Sequence, residues 1–175
     1  MSPADWIQLM IAIGTLVGVI LILLTVRSDH DWRRRQQAIE IMAGWNANTS
    51  ASVTALEKHL PHIRFGKTVS EITKAKAREI FMNEPESEAN EELRTHIVRL
   101  LNHFDYVAAA YSHGVADKEI IEFGLRTTIT RWYDVLQNFI HVTQEIDGKT
   151  YWTLLEDVIH SWKTTPQFKI RRPTA

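Results

Sequence analysis

The chain changes its hydrophobic pattern twice. From Trp6 to Val26 the run WIQLMIAIGTLVGVILILLTV is 21 residues of apolar or uncharged side chains, with Gln8, Thr15 and Thr25 its most polar members. Apolar positions around the whole circumference are the mark of a helix surrounded by lipid or by protein, not of a surface helix. From His30 the apolar residues fall back to spacings of three and four. In 88–112 they form an unbroken seam, Leu93, Ile97, Leu100, Phe104, Val107 and Tyr111, spaced 4-3-4-3-4. That period is helical, and no stretch alternates with the period of two that strands require. The pattern predicts an all-α chain: one apolar helix, a long juxtamembrane helix, then an antiparallel helical bundle.

The first run is a predicted transmembrane helix. At ~1.5 Å per residue it is roughly 31 Å long, the thickness of a hydrocarbon core. A buried core helix seldom runs so far without a charge. A cleaved signal peptide wants Lys or Arg before a shorter run and a small-residue cleavage site after it. Neither is present around Met1–Asp5 or Leu24–Arg27. Arg27, Arg33, Arg34 and Arg35 crowd the C-terminal flank, so the positive-inside rule places the N-terminus outside and the remainder in the cytoplasm, at a bacterial inner membrane. Trp6, Trp32 and Arg33 to Arg35 read as membrane-interface residues. Gly14 and Gly18, four apart, allow two helices to approach closely in lipid.

The expected organisation is a short extracytoplasmic N-terminus (1–5), the span (6–26), a juxtamembrane helix (27–62), a cytoplasmic bundle (63–162) and a basic tail (163–175). Over 30–60 a heptad puts Trp32, Ile39, Asn46, Val53 and Leu60 at a, and Arg35, Met42, Thr49 and Leu56 at d. Two readings fit. The helix packs on its own bundle, or it is a seam between copies, with contacts at Ile39, Met42, Asn46, Val53 and Leu56 in addition to Gly14 and Gly18. A buried Asn46 would then fix register and copy number. Pro61 closes this helix. Thr68 and Glu71 form a predicted capping box for a short helix to about Met82. An acidic loop follows, and Gly114 closes the 88–112 helix. Asp117 opens the next one, expected to kink or break near Gly124 and to end at Asp147-Gly148. Thr150 is the expected cap of a last helix reaching Trp162.

Charge adds little, since the net value is −1. The absence of cysteine excludes disulfides and cysteine-based zinc sites or nucleophiles. No Gly-rich phosphate loop, His-Glu-x-x-His helix or serine nucleophile elbow is present. His96 and His103 share a helix face, but no third ligand joins them, so no metal and no cofactor is expected. Helical ribonucleases of prokaryotic defence systems carry Arg, four to six residues, then His. Arg99 and His103 approach this with three residues between. They are the one candidate pair for attack by a 2′-hydroxyl, which needs a base and a cation at the phosphate. Otherwise the chain reads as non-enzymatic, with no strong nucleic-acid signal.

The block from Leu100-Leu101-Asn102-His103-Phe104-Asp105 through Gly114-Val115-Ala116-Asp117, with Arg131-Trp132-Tyr133, resembles a bacterial family of small single-span membrane proteins with a helical cytoplasmic domain of unknown function. That family carries Leu-Asn-x-Phe/Tyr-Asp/Glu, a Gly-x-x-Asp turn and an aromatic pair in the following helix. In layout alone the chain is also similar to accessory membrane proteins of type VI-B CRISPR systems. That resemblance implies a homo-oligomeric membrane effector, in one form a pore, acting in antiviral defence or stress response. A membrane-tethered ribonuclease, or a scaffold holding a cytosolic protein partner at the bilayer, are the other readings.

Overall fold

One helix carries the chain from its apolar end into its core. The computed structural model describes residues 3–60 and 71–165, with side chains over the same ranges apart from those of residues 3–9, 11 and 12. Five helices appear in order: α1 (Pro3–His59), α2 (Lys74–Met82), α3 (Glu88–Ser112), α4 (Lys118–Asp147) and α5 (Thr153–Thr164). The described residues contain no strand. α1 is 57 residues, about 86 Å of continuous helix. Nothing within it breaks the ladder after the apolar run. By length and composition it is able to cross a membrane. Thr25 donates its hydroxyl to the Leu21 carbonyl at 2.9 Å, so this polar member of the apolar run is satisfied within the helix.

The distal half of α1 lies antiparallel to α3. Ala38, Ile41, Ala55 and Leu56 enter the core, and Trp45 stacks flat on Phe104 with ring centroids 5.5 Å apart. α3 is packed on one side by α1 and on the other by α5. Its predicted seam is buried from Leu93 to Val107, with Tyr111 packed against the core at the end. α4 returns antiparallel to α3 and buries Ile121, Leu125, Ile129, Trp132, Leu136, Phe139 and Ile140, the residues its periodicity predicts. α2 lies along the far half of α4. Ile72 N–H bonds the Val135 carbonyl at 3.1 Å, and Asn138 donates to the Ile72 carbonyl at 2.8 Å.

Helix ends show where local signals prevail and where they fail. Gly114 takes left-handed backbone (φ +66°), letting Val115 N–H turn back to the Ala110 carbonyl at 3.0 Å. Asp117 caps α4, its carboxylate accepting from Glu119 N and Ile120 N at 3.0 and 3.2 Å. Three expectations are corrected. Thr68 lies outside the described residues, but Glu71 is not helical, and α2 starts at Lys74. Thr73 is its cap, accepting from Lys76 N at 3.2 Å. α4 runs through Gly124 without a break. The missing side chain there admits Met42, whose Cε would lie 2.4 Å from a Cβ at this position. α5 starts at Thr153 rather than at Thr150, because Trp152 occupies the left-handed region (φ 56°) as its cap. Pro61, the 62–66 connector and the basic tail beyond Thr165 fall outside the described residues.

Candidate functional site

The residues expected at a membrane interface gather where α1 leaves its apolar run. Trp32 is 68% exposed, and Arg33 and Arg35 are also on the surface. The start of α4 is fastened to this level: Asp117 N–H bonds the Arg34 carbonyl at 3.0 Å, and Arg35 Nε lies 3.7 Å from the Asp117 carboxylate. The side chain of Trp6 lies outside the described set. Beyond this level the apolar run is bare. The large side chains described there, Met10 and those from Ile13 to Val26, are 47–65% exposed, with no described element packed on them. Gly14 and Gly18 face open space, since a Cβ at either would meet nothing within 4 Å.

The heptad divides between two faces. Met42, Thr49 and Leu56 turn into the chain's own bundle, Leu56 without any exposure, and Leu60 is buried too. Val53 is partly covered. Trp32, Ile39 and Asn46 look outward, Ile39 at 58% exposure. The first three a positions therefore form an external strip, whereas Leu60 at a and Met42, Thr49 and Leu56 at d belong to the fold, and Arg35 at d stays on the surface.

Arg99 and His103 share a face of α3, but their settings differ. Arg99 is exposed. His103 packs between Trp45 and Tyr106, with ring centroids 5.5 and 6.3 Å away. Its Nε2 is buried without a hydrogen-bond partner, and burial holds the imidazole below its ordinary pKa. General base chemistry needs a contact of about 3 Å, and Nε2, closed in this way, does not offer one. His96 turns to the wholly buried Ser52, Nδ1 to Oγ 3.2 Å. His59 donates to Glu92 at 2.9 Å, and this bond, with Lys58 nearby, holds the Glu92 carboxyl below its usual range. These pairs stitch α1 to α3. Among the described residues, no group of three or more His, Asp or Glu is placed to hold a metal ion.

The Asn102–Asp105 motif has a structural role that its sequence alone does not show. Asn102 accepts the Trp152 indole N–H at 2.8 Å, and Asp105 accepts Leu155 N–H at 3.1 Å. Both side chains thus meet the N-terminus of α5, where a carboxylate also suits the helix dipole. Arg126 of α4 donates to the Trp162 carbonyl at the other end of α5, where a cation is favoured. Tyr111 donates to Glu122 and lies edge-on to Trp162, while Tyr133 donates to Glu156 at 3.4 Å. Burial first, and then the neighbouring Glu156, push the Tyr133 hydroxyl up to about 12. A pair of polar residues three apart beside a core seam was the available signal; their distant partner was not.

No curated protein and no solved structure matches the chain. A family model described as a domain of unknown function, DUF4760, matches residues 12–162. The match takes in most of the apolar run and every helix of the bundle, so the chain belongs to the DUF4760 family.

Proposed function

We propose that the chain is a single-pass inner-membrane protein, N-terminus outside, whose cytoplasmic bundle self-associates and acts as a non-catalytic membrane effector or accessory. One observation carries this reading. A single unbroken helix is bare and apolar from Ile13 to Val26 and locked into a protein core from Ala38 onward. Such a helix transmits position and rotation between bilayer and bundle, because no hinge separates them. Self-association is supported by the open Gly14 and Gly18 face and by the outward strip Trp32, Ile39 and Asn46, whose seven-residue spacing suits a helix–helix seam. A role in antiviral defence is what the resemblance in layout would add.

The test is the mass of the detergent-solubilised particle. The unmodified chain should form a defined oligomer. Ile39→Asp should split it with unchanged helical content, because the charge would have to be buried between copies but sits on the surface of a single one. Asn46→Ile should tighten association and broaden the copy number. A monomer at every concentration overturns self-association. A cytoplasm-dependent reporter fused after Ala175 should be active, and replacing Arg33 to Arg35 by neutral residues should mix the topology.

A further inference from the structure

A cavity of about 300 Å³ opens between α1 and the start of α4, lined by Asp31, Arg34, Arg35, Asp117, Lys118 and Glu119. What it would meet follows from its level, which rests on the membrane reading above. Asp31 to Arg35 lie five to nine residues past Val26. At ~1.5 Å per residue, that is roughly 8–14 Å beyond the hydrocarbon edge. A headgroup layer occupies about 5–8 Å on each side, so the cavity begins at its outer margin and extends beyond it, and long cationic side chains reach back toward the layer. Close in sequence to its lining residues, Trp32 and Val115 are exposed apolar side chains, 68% and 54%.

The lining is cationic and anionic in equal number. Two of its cations are under-used. Arg34 Nε is buried with no hydrogen-bond partner among the described residues. Arg35 stands 3.7 Å from Asp117, longer than a direct charged hydrogen bond, and Asp117 already caps α4. Lys118 places its ammonium over the Tyr111 ring at 5.0 Å. The N-terminus of α4 adds its own positive end. The acids Asp31 and Glu119 line the same space. A purely anionic ligand would gain the arginines but meet these carboxylates. A zwitterion satisfies both.

We propose that this cavity binds the headgroup of a phospholipid carrying a primary ammonium, a phosphoethanolamine lipid. The phosphate lies against Arg34 and Arg35, and the ammonium against Asp31 and Glu119. The volume is at the lower end of those that hold small ligands, which fits a headgroup and not a whole lipid.

The experiment uses the full chain in nanodiscs and in detergent. Lipid retention is read by native mass spectrometry with phosphatidylethanolamine, phosphatidylglycerol or phosphatidylcholine supplied. One phosphatidylethanolamine per chain should be retained about tenfold more strongly than either of the others. Arg34→Ala should abolish that retention. The double variant Asp31→Asn, Glu119→Gln should keep a lipid but shift preference to phosphatidylglycerol, with circular dichroism unchanged. This surface variant keeps the test valid if Arg34→Ala disturbs the fold. Equal retention of the three lipids, or an unchanged preference in the double variant, overturns the proposal. Soluble phosphoethanolamine or inorganic phosphate competing at equal concentration would assign the cavity to a free phosphate compound and overturn the lipid. A chain that fails to enter nanodiscs overturns the membrane reading, and this site with it. A chain that enters without preferring phosphatidylethanolamine overturns this site alone.

Discussion

The two halves of α1 obey the same helical geometry but show opposite arrangements of apolar surface. Between Ile13 and Val26 the large apolar side chains are exposed around the circumference. Between Ala38 and Leu60 most of them fall on one stripe, with Ala38, Ile41, Leu56 and Leu60 buried and Glu40, Asn46 and Lys58 outside; Ile39, 58% exposed, is the large apolar residue off that stripe. The first half has the pattern of a helix whose solvent is lipid; the second solves the problem of one face in protein and one in water. Because the two stretches have different surroundings, a change in one should leave the other's stability alone, although no break separates them.

The largest expected effect separates the halves by placing a charge in each. Leu56→Asp buries a carboxylate where Leu56 has no exposure, and should cost about 4 kcal/mol or more, melting the bundle while the chain stays with the membrane fraction. Leu21→Asp should cost about 2.5–3.5 kcal/mol of insertion free energy and leave the bundle's melting temperature unchanged. Thermal melts and membrane fractionation of both variants check this, and a shared response would mean that the halves are not independent.

Next in size is the fastening of α5. Asp105→Ala removes the acceptor of Leu155 N–H and should destabilise by about 1–2 kcal/mol, read by Trp152 fluorescence and chemical denaturation. Smaller again is His103. Burial depresses its pKa, so the stabilisation from keeping it neutral is complete above about 6.5 and is lost as pH falls through the folded value. His103→Phe should remove that part of the acid sensitivity and, by deleting an orphaned ring nitrogen, add about 1 kcal/mol at neutral pH. Glu79, Glu92 and Glu145, held low mainly by hydrogen bonds from Lys76, His59 and Lys74, should leave a second decline at more acidic pH. Least is Gly124→Ala. Its gain in helix propensity of about 1 kcal/mol is offset by displacing the flexible end of Met42, so the melting temperature should scarcely move.

Much of this fold is legible in the sequence because its signals are local. The 4-3-4-3-4 seam of α3, the Gly114 stop and the Asp117 cap each depend on residues within one turn. The misread points depend on partners elsewhere. Trp152 replaces Thr150 at the start of α5 because its indole is held by Asn102 and the helix by Asp105, fifty residues earlier in the chain. Gly124 read as a break because its partner Met42 belongs to another helix. The candidate site divides in the same way. Asp31 and Arg33 to Arg35 stand together in the sequence, whereas Asp117, Lys118 and Glu119, which share the cavity, come from the start of α4. The heptad of 30–60 carries two faces in one pattern, and only the packing separates Leu56 from Ile39.

The central claim, one rigid helix in two solvents, is tested most directly by single-cysteine spin labels along α1, which is practicable because the chain has no cysteine of its own. In liposomes, labels from 13 to 26 should be accessible to oxygen and shielded from a water-soluble relaxant at every angle. Labels from 38 to 60 should show a 3.6-residue period, with 38, 41, 45, 49, 52 and 56 protected from both. Water accessibility with a helical period in the first stretch would contradict the account.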